Sequence, residues 1–241
     1  MTRLPGALFA LSLLFVAVGL GFAVMQMPPA SGDLVALVDQ HMADAGVGHP
    51  VTAVLLNYRA YDTLLEMVVL LLALFGAWGL NDSAEVTSLP SAPPVLEQLV
   101  RLLVPVLIVV AAYLLWVGAY SPGGAFQAGA VLAGAGVLMS LLDPAWRGAR
   151  MNSVLELVLL PGILVFTIVG VAGMLVGGRF LEYPAGAAGT LILVIEGFAT
   201  LSIAVTLQTL FAGAARAGAA RAGAARAGAA RAGAGPGNTA A

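Results

Sequence analysis

Residues Asn57–Trp78 read NYRAYDTLLEMVVLLLALFGAW, and they decide what kind of chain this is. Arg59, Asp62 and Glu66 run straight into Met67–Trp78, which holds no charge. From Tyr61 to Leu80 the run reaches the ~20 residues that a helix needs to cross the hydrocarbon core of a bilayer. Taken as helix, Arg59, Asp62 and Glu66 stand at spacings of three and four, so they share one face. Lipid is a poor surrounding for that face, because a charged side chain costs about 2.5 kcal/mol or more at the membrane centre. The face is expected to turn to protein or water. Two readings stay open: an ion or proton route, and a structural salt bridge that fixes how two helices pack, with Arg59 near the interface.

The rest of the chain has the same character. Of its 241 residues, 61% are hydrophobic and 9% charged, with a mean hydropathy of +1.01. A soluble domain carries about a quarter of its residues as charges, and the short alternating segments of a transmembrane barrel are not seen in the pattern. The fold class read here is an all-α integral membrane protein of about six transmembrane helices. They are expected at Leu4–Met27, Tyr61–Leu80, Leu99–Tyr120, Ala125–Leu142, Val154–Gly177 and Ala187–Phe211. Prolines punctuate them: Pro28 and Pro29 close the first, Pro93 and Pro94 precede the third, and Pro184 precedes the sixth. Ser121–Gly124 leaves room only for a tight antiparallel hairpin.

All ten basic residues are arginine, and their placement orients the bundle. With the N-terminus inside, the cytoplasmic segments hold Arg3, Arg101, Arg147, Arg150, Arg216, Arg221, Arg226 and Arg231, and an outer connection holds Arg179. Both termini are therefore expected in the cytoplasm, with the chain in the cell's inner (plasma) membrane. The first apolar run is longer than a signal-peptide core and has no clean small-x-small site after it, so it is read as a span. Asp33–Thr52 is expected at the outer surface, with a short amphipathic helix around Leu34, Val35, Leu37 and Val38. Val51–Leu56 is too short to span unless it joins the run that begins at Tyr61. The tail repeats AGAAR four times from Ala212 to Arg231. Glycine in each pentad weakens a helix by about 1 kcal/mol, which favours a mobile low-complexity tail over one that binds anionic lipid.

Three further places carry chemistry. Glu196 lies within the last span, in GTLILVIEGFATLSIAVTLQTLF, with no basic residue in that span. A carboxylate there finds a partner on another helix or stays protonated, because desolvation penalises the charged form. Either state suits a group that loads and releases protons; a hydrogen bond to a backbone carbonyl is the structural alternative. Glu156 stands just inside the fifth span near Arg147 and Arg150, as for an interfacial ion pair. GGAFQAGA, Gly123–Ala130, sets Phe126 and Gln127 among small residues that let another helix approach closely, a packing motif first and a site second. Cysteine is absent, which excludes disulfides and thiolate metal sites. His41 and His49 are the only histidines, too few for a metal centre. No P-loop, dinucleotide turn or nucleophile elbow occurs. The chain is not read as an enzyme, and no metal, cofactor or nucleic-acid partner is expected.

SPGGAFQAGAVLAGAGVL, Ser121–Leu138, resembles the SPGGGFQGG-type motif of the B subunit of multi-subunit Na+/H+ antiporters of the Mrp or Mnh type. The likeness runs from about Leu99 to Phe211 and ends in IEGFATLSIAVTL, Ile195–Leu207, which is similar to that family's last helix. VTAVLLNYRAYDTLLEMVVLLLALFGAW, Val51–Trp78, resembles the FRGFDTLGE-like end segment of the large A subunit, found also as the separate E subunit of membrane-bound hydrogenases. Tyr58 and Tyr61 stand where phenylalanine is frequent, Leu65 where glycine is frequent, and Ala125 and Ala128 replace glycines. These departures add bulk without charge.

The resemblance implies two fused membrane modules, 1–90 of the A/E type and 95–211 of the B type, followed by the 212–241 tail. It implies membership of a complex related to respiratory complex I, with other membrane subunits as partners, Na+ and H+ as transported ions, and lipid around it. Arg59, Asp62, Thr63 and Glu66 match the charged segment, and Gly123, Gly124, Phe126 and Gln127 the B-type motif. Arg59, Asp62, Glu66 and Glu196 then line an ion or proton path. The alternatives are a membrane-arm subunit of a redox-driven pump, such as a membrane-bound hydrogenase, and a scaffold whose charges only lock helices together.

Overall fold

The structure, a computed structural model, describes residues 3–27, 32–80, 93–142, 158–176, 178–184 and 186–233. It divides into two units, Met1–Leu37 and Val38–Ala241. In the first, α1 runs over Arg3–Met25, and its apolar side chains, Phe15 and Leu20 among them, are exposed. Helix α2 spans Leu34–His41, and Asp33 Oδ1 accepts the Ala36 N–H at 3.1 Å. That bond satisfies one of the N–H groups a helix start leaves free.

In the second unit the polar connection becomes structure. A 3₁₀ turn, Met42–Asp44, is followed by α3 at Pro50–Ala53, a π-helical segment at Val54–Tyr58, and α4 at Ala60–Leu80. Val51–Leu56 thus joins the second span. The joint is Arg59, whose φ of −126° and ψ of 33° break the helix, while its N–H still reaches Val54 O at 2.8 Å. The loop ahead of α3 is pinned to other elements: the Gly48 and His49 N–H groups both donate to Ala119 O, at 2.8 and 3.0 Å.

Helix α5 (Pro94–Val117) starts with proline at its first position, where a missing N–H does no harm. A tight turn joins it to α6 (Ala125–Leu142). Helix α7 (Pro161–Leu175) also opens on proline, and α8 runs over Ala188–Gly233. The last of these is the axis of the unit. It packs against α4, α5, α6 and α7, and half of its apolar stretch is buried. Ala60 and Met67 from α4, Phe166 from α7, and Ile192, Ile195, Ala199 and Ile203 from α8 form the core. Lipid tails are as apolar as these side chains, so close packing more than water exclusion holds the helices together. Helix α6 shows the means: Ala125, Ala128, Gly129, Ala133 and Ala135 are buried, and a Cβ on Gly129 would lie 2.8 Å from Ile203 Cγ2.

Among the described residues, four helices are long and apolar enough to cross a membrane: Ala60–Gly79, Pro94–Val117, Ala125–Leu142 and Ala188–Gly213. Shorter apolar helices, Ala10–Met25 and Pro161–Leu175, stand where the first and fifth spans are expected. The AGAAR tail continues α8 as helix to Gly233. Extending an existing helix needs no nucleus, and alanine at three positions of five offsets the glycine. Glu156, Arg147 and Arg150 lie outside the described residues.

Candidate functional site

Glu196 is the ninth residue of α8, about 12 Å along it at 1.5 Å per residue. It is 3% exposed. Its Oε1 accepts the N–H of Ala125 at 3.3 Å. Ala125 opens α6, so this N–H belongs to the set that an α-helix leaves unbonded, at the end carrying the positive pole of the helix dipole. One turn further along α8, Thr200 Oγ1 donates to Glu196 O at 2.7 Å and approaches Ala125 O at 3.5 Å. Helix α8 therefore meets the start of α6 through a carboxylate and a hydroxyl. Glu196 Oε2 is buried and has no hydrogen-bond partner among the described residues.

The turn before α6 makes this meeting possible. The Gly118 and Gly124 N–H groups both donate to Leu114 O, at 3.2 and 2.9 Å, which folds the turn back onto the end of α5. A Cβ on Gly123 would stand 2.5 Å from that same carbonyl oxygen. Gly124 has φ +105°, a conformation that L side chains rarely adopt, and a Cβ there would lie 2.8 Å from Glu196 Oε1. Gly123 and Gly124 stand in the turn, while Gly129 lies in α6 against Ile203 of α8. Phe126 packs against the core, and Gln127 is exposed, its Oε1 3.8 Å from the same Gly124 Cβ position.

The charged segment of α4 lies elsewhere. Arg59 and Asp62 form an ion pair, with side chains 70% and 43% exposed. Glu66 is exposed and makes no ion pair among the described residues. The opposite face of α4 carries Ala60, Thr63, Met67, Leu71 and Leu74, which are buried. So Asp62 and Glu66 point away from the packed interior, and the structure does not bring Glu66 to Glu196. Around the helix break, Thr63 Oγ1 donates to Leu55 O at 2.6 Å, Asn57 Nδ2 to Ala45 O at 3.2 Å, and the Tyr58 hydroxyl to His41 O at 2.8 Å. Desolvation, helped by the nearby Asp44 charge, raises the Tyr58 pKa. Tyr183, between α7 and α8, has a buried hydroxyl without a partner among the described residues, and desolvation pushes its pKa up. Among the described residues no cluster of three or more histidines, cysteines or carboxylates is placed to hold a metal.

The sequence did not single out Thr200, nor Ser202, Thr206 and Thr209, all buried on α8. Thr200 stands four residues after Glu196, a same-face spacing that could have exposed it.

Residues 95–212 match the family model described as a domain related to the MnhB subunit of Na+/H+ antiporter. An uncharacterized protein of Methanocaldococcus jannaschii is 30% identical over 155 residues, or 54% of this chain; the chain spans 58% of that relative's length. A chain in the structure of the Mrp complex from Dietzia sp. superposes on 88% of this chain with a TM-score of 0.60 and 22% identity, over 26% of its own length. A chain of the membrane-bound sulfane sulfur reductase, an archaeal respiratory membrane complex, superposes on 87% with a TM-score of 0.65 and 24% identity, over 97% of its own length. The two structural likenesses establish a common fold. Glu196 and the turn that receives it both fall inside residues 95–212, the segment of this multi-pass membrane protein that is similar to the MnhB-related domain of Na+/H+ antiporters.

Proposed function

We propose that the chain is a membrane subunit of a multi-subunit cation/proton antiporter complex of the Mrp type, in which Glu196 takes up and releases a proton on the ion path. The observation that carries this reading is the Glu196 carboxyl group, buried in a membrane-crossing helix against the open start of α6, with one oxygen unpartnered among the described residues. Desolvation favours the neutral form, and the α6 N-terminus favours the charged one. A group held between opposed influences of that kind can change state when an ion or proton arrives. Intramembrane carboxylates commonly mark such routes.

Arg59, Asp62 and Glu66 form a second station on the same path. Their exposure on a span supports a partner subunit, with the water it traps, as the surface that covers them. The 1–90 segment then acts as an A/E-type module fused to the B-type domain, and Na+ and H+ are the transported ions. Six crossings with both ends in the cytoplasm complete the arrangement, as the arginine asymmetry requires. The protein is a transporter component and not an enzyme. The test is Glu196→Gln in the assembled complex: unchanged subunit composition with exchange lowered severalfold supports the reading, and full exchange leaves only a scaffold.

A second reading places the chain in a redox-driven membrane complex. It is favoured by the match to nearly the whole of one sulfane sulfur reductase chain, against about a quarter of the Mrp chain. Co-purification in mild detergent separates the two, because the redox complex brings iron–sulfur proteins with it.

A further inference from the structure

Glu196 presents two problems that its contact with Ala125 does not solve. Its Oε2 is buried without a partner among the described residues, and its proton, if it carries one, needs a way out of an apolar helix bundle. An unsatisfied buried oxygen costs about 1–3 kcal/mol, more for a charged group. Native proteins commonly meet such a demand with a buried water that makes about three hydrogen bonds.

On the side of the other carboxyl oxygen, Oε1, the polar side chain that approaches is Gln127. The point where a Gly124 Cβ would stand lies 2.8 Å from Glu196 Oε1 and 3.8 Å from Gln127 Oε1. Carboxyl and amide thus approach the same spot from α8 and from the first turn of α6. A Cβ at position 124 would press on Glu196 Oε1 and stand in ordinary contact with Gln127 Oε1. With both oxygens within 4 Å of one point, a single water can donate to each. Gln127 is exposed while Glu196 is 3% exposed, so the pair leads from the buried carboxyl to the outer face of α6.

The geometry points to one water molecule bridging the Glu196 carboxyl and the Gln127 amide, with Gly124 keeping the gap open. Resting on the reading of Glu196 as a proton carrier, this water is the outlet. The proton passes from the Glu196 carboxyl to the water, and the water's own proton moves on toward whatever covers the exposed face of α6. Gln127 holds the water and takes no proton itself, since an amide does not titrate near neutral pH. It is a positioning residue.

The experiment uses the assembled complex, imaged by cryo-electron microscopy at a resolution that shows ordered water, and reconstituted in vesicles for pH-gradient-driven cation exchange. The wild-type map is expected to show a single density peak within hydrogen-bond distance of both Glu196 and Gln127. Gln127→Met keeps length and loses the polar end. It should assemble normally, lose the peak, and slow exchange at least about tenfold, the factor that loss of one hydrogen bond to a charged group carries. Gln127→Glu, which keeps an oxygen at the same reach, should restore exchange; a merely structural Gln127 would not be rescued in this way. Absence of the peak in the wild type, or full exchange in Gln127→Met, overturns the inference. Glu196→Gln, measured alongside, separates the two claims: full exchange there defeats the carrier reading while the peak still decides the bridge.

Discussion

Glu196 on α8 closes the open N-terminus of α6, its Oε1 accepting the Ala125 N–H at 3.3 Å. Two membrane-crossing helices are thereby joined through a group that can gain or lose a proton. The glycines of the preceding turn are what let the carboxylate approach the backbone.

Gly124→Ala tests that approach. The new methyl meets Glu196 Oε1 at 2.8 Å, in a backbone conformation that alanine resists. Strain and contact together should cost about 1–3 kcal/mol. Thermal unfolding in detergent should show a lowered Tm, and an unchanged Tm would mean that the turn adapts freely.

The α6–α8 contact gives a paired prediction. Gly129→Leu drives a side chain into Ile203 Cγ2, which stands 2.8 Å from the Cβ position, and should destabilise by about 1–3 kcal/mol. Gly134→Ala finds nothing within 4 Å and should stabilise instead, by up to about 1 kcal/mol through helix propensity. Equal effects from both would show that small residues on α6 do not set the helix spacing.

Tyr183 carries a pH prediction. Burial raises its folded-state pKa above the unfolded value of about 10. The unfolded chain then ionises first as pH rises, binds fewer protons than the folded one, and becomes relatively more stable. Stability contributed by Tyr183 is therefore full below about pH 10 and falls above it. Tyr183→Phe removes a hydroxyl that has no partner among the described residues. It should raise stability by about 1 kcal/mol at neutral pH and flatten the alkaline loss. A destabilised Tyr183→Phe protein would show that the hydroxyl is satisfied in the assembled complex.

Topology can be read with single cysteines, since the chain has none of its own. Cysteines at Asp44 and Gly178 should react with an impermeant reagent added outside, and one at Ala219 should not. Labelling at Ala219 would invert the proposed orientation.

The sequence made legible those features that side chains can signal. The apolar runs named the helices, because crossing a bilayer imposes a length and a composition. Glu196 stood out as a lone carboxylate in such a run. Its partner did not, because a backbone N–H 71 residues away leaves no mark in the sequence. Gly124 was read as part of a packing surface, since a glycine needed for positive φ looks no different from one needed for close approach. The charged face of α4 was visible by spacing, but the break at Arg59 and the π-helical segment before it were not; Asn57 and Tyr58 there donate to Ala45 O and His41 O, 12 and 17 residues upstream. The continuation of helix to Gly233 went unread for a different reason: five-residue propensity arithmetic ignores the helix already formed ahead of it.

The central claim is that Glu196 carries a proton, and one comparison tests it most directly. Wild-type and Glu196→Gln complexes, with matched subunit composition, are reconstituted into vesicles, and cation movement driven by an imposed pH gradient is recorded. Glutamine keeps the size and hydrogen-bonding reach of glutamate but cannot exchange a proton near neutral pH. The account predicts an assembled mutant complex with exchange lowered severalfold. Exchange equal to wild type would contradict it.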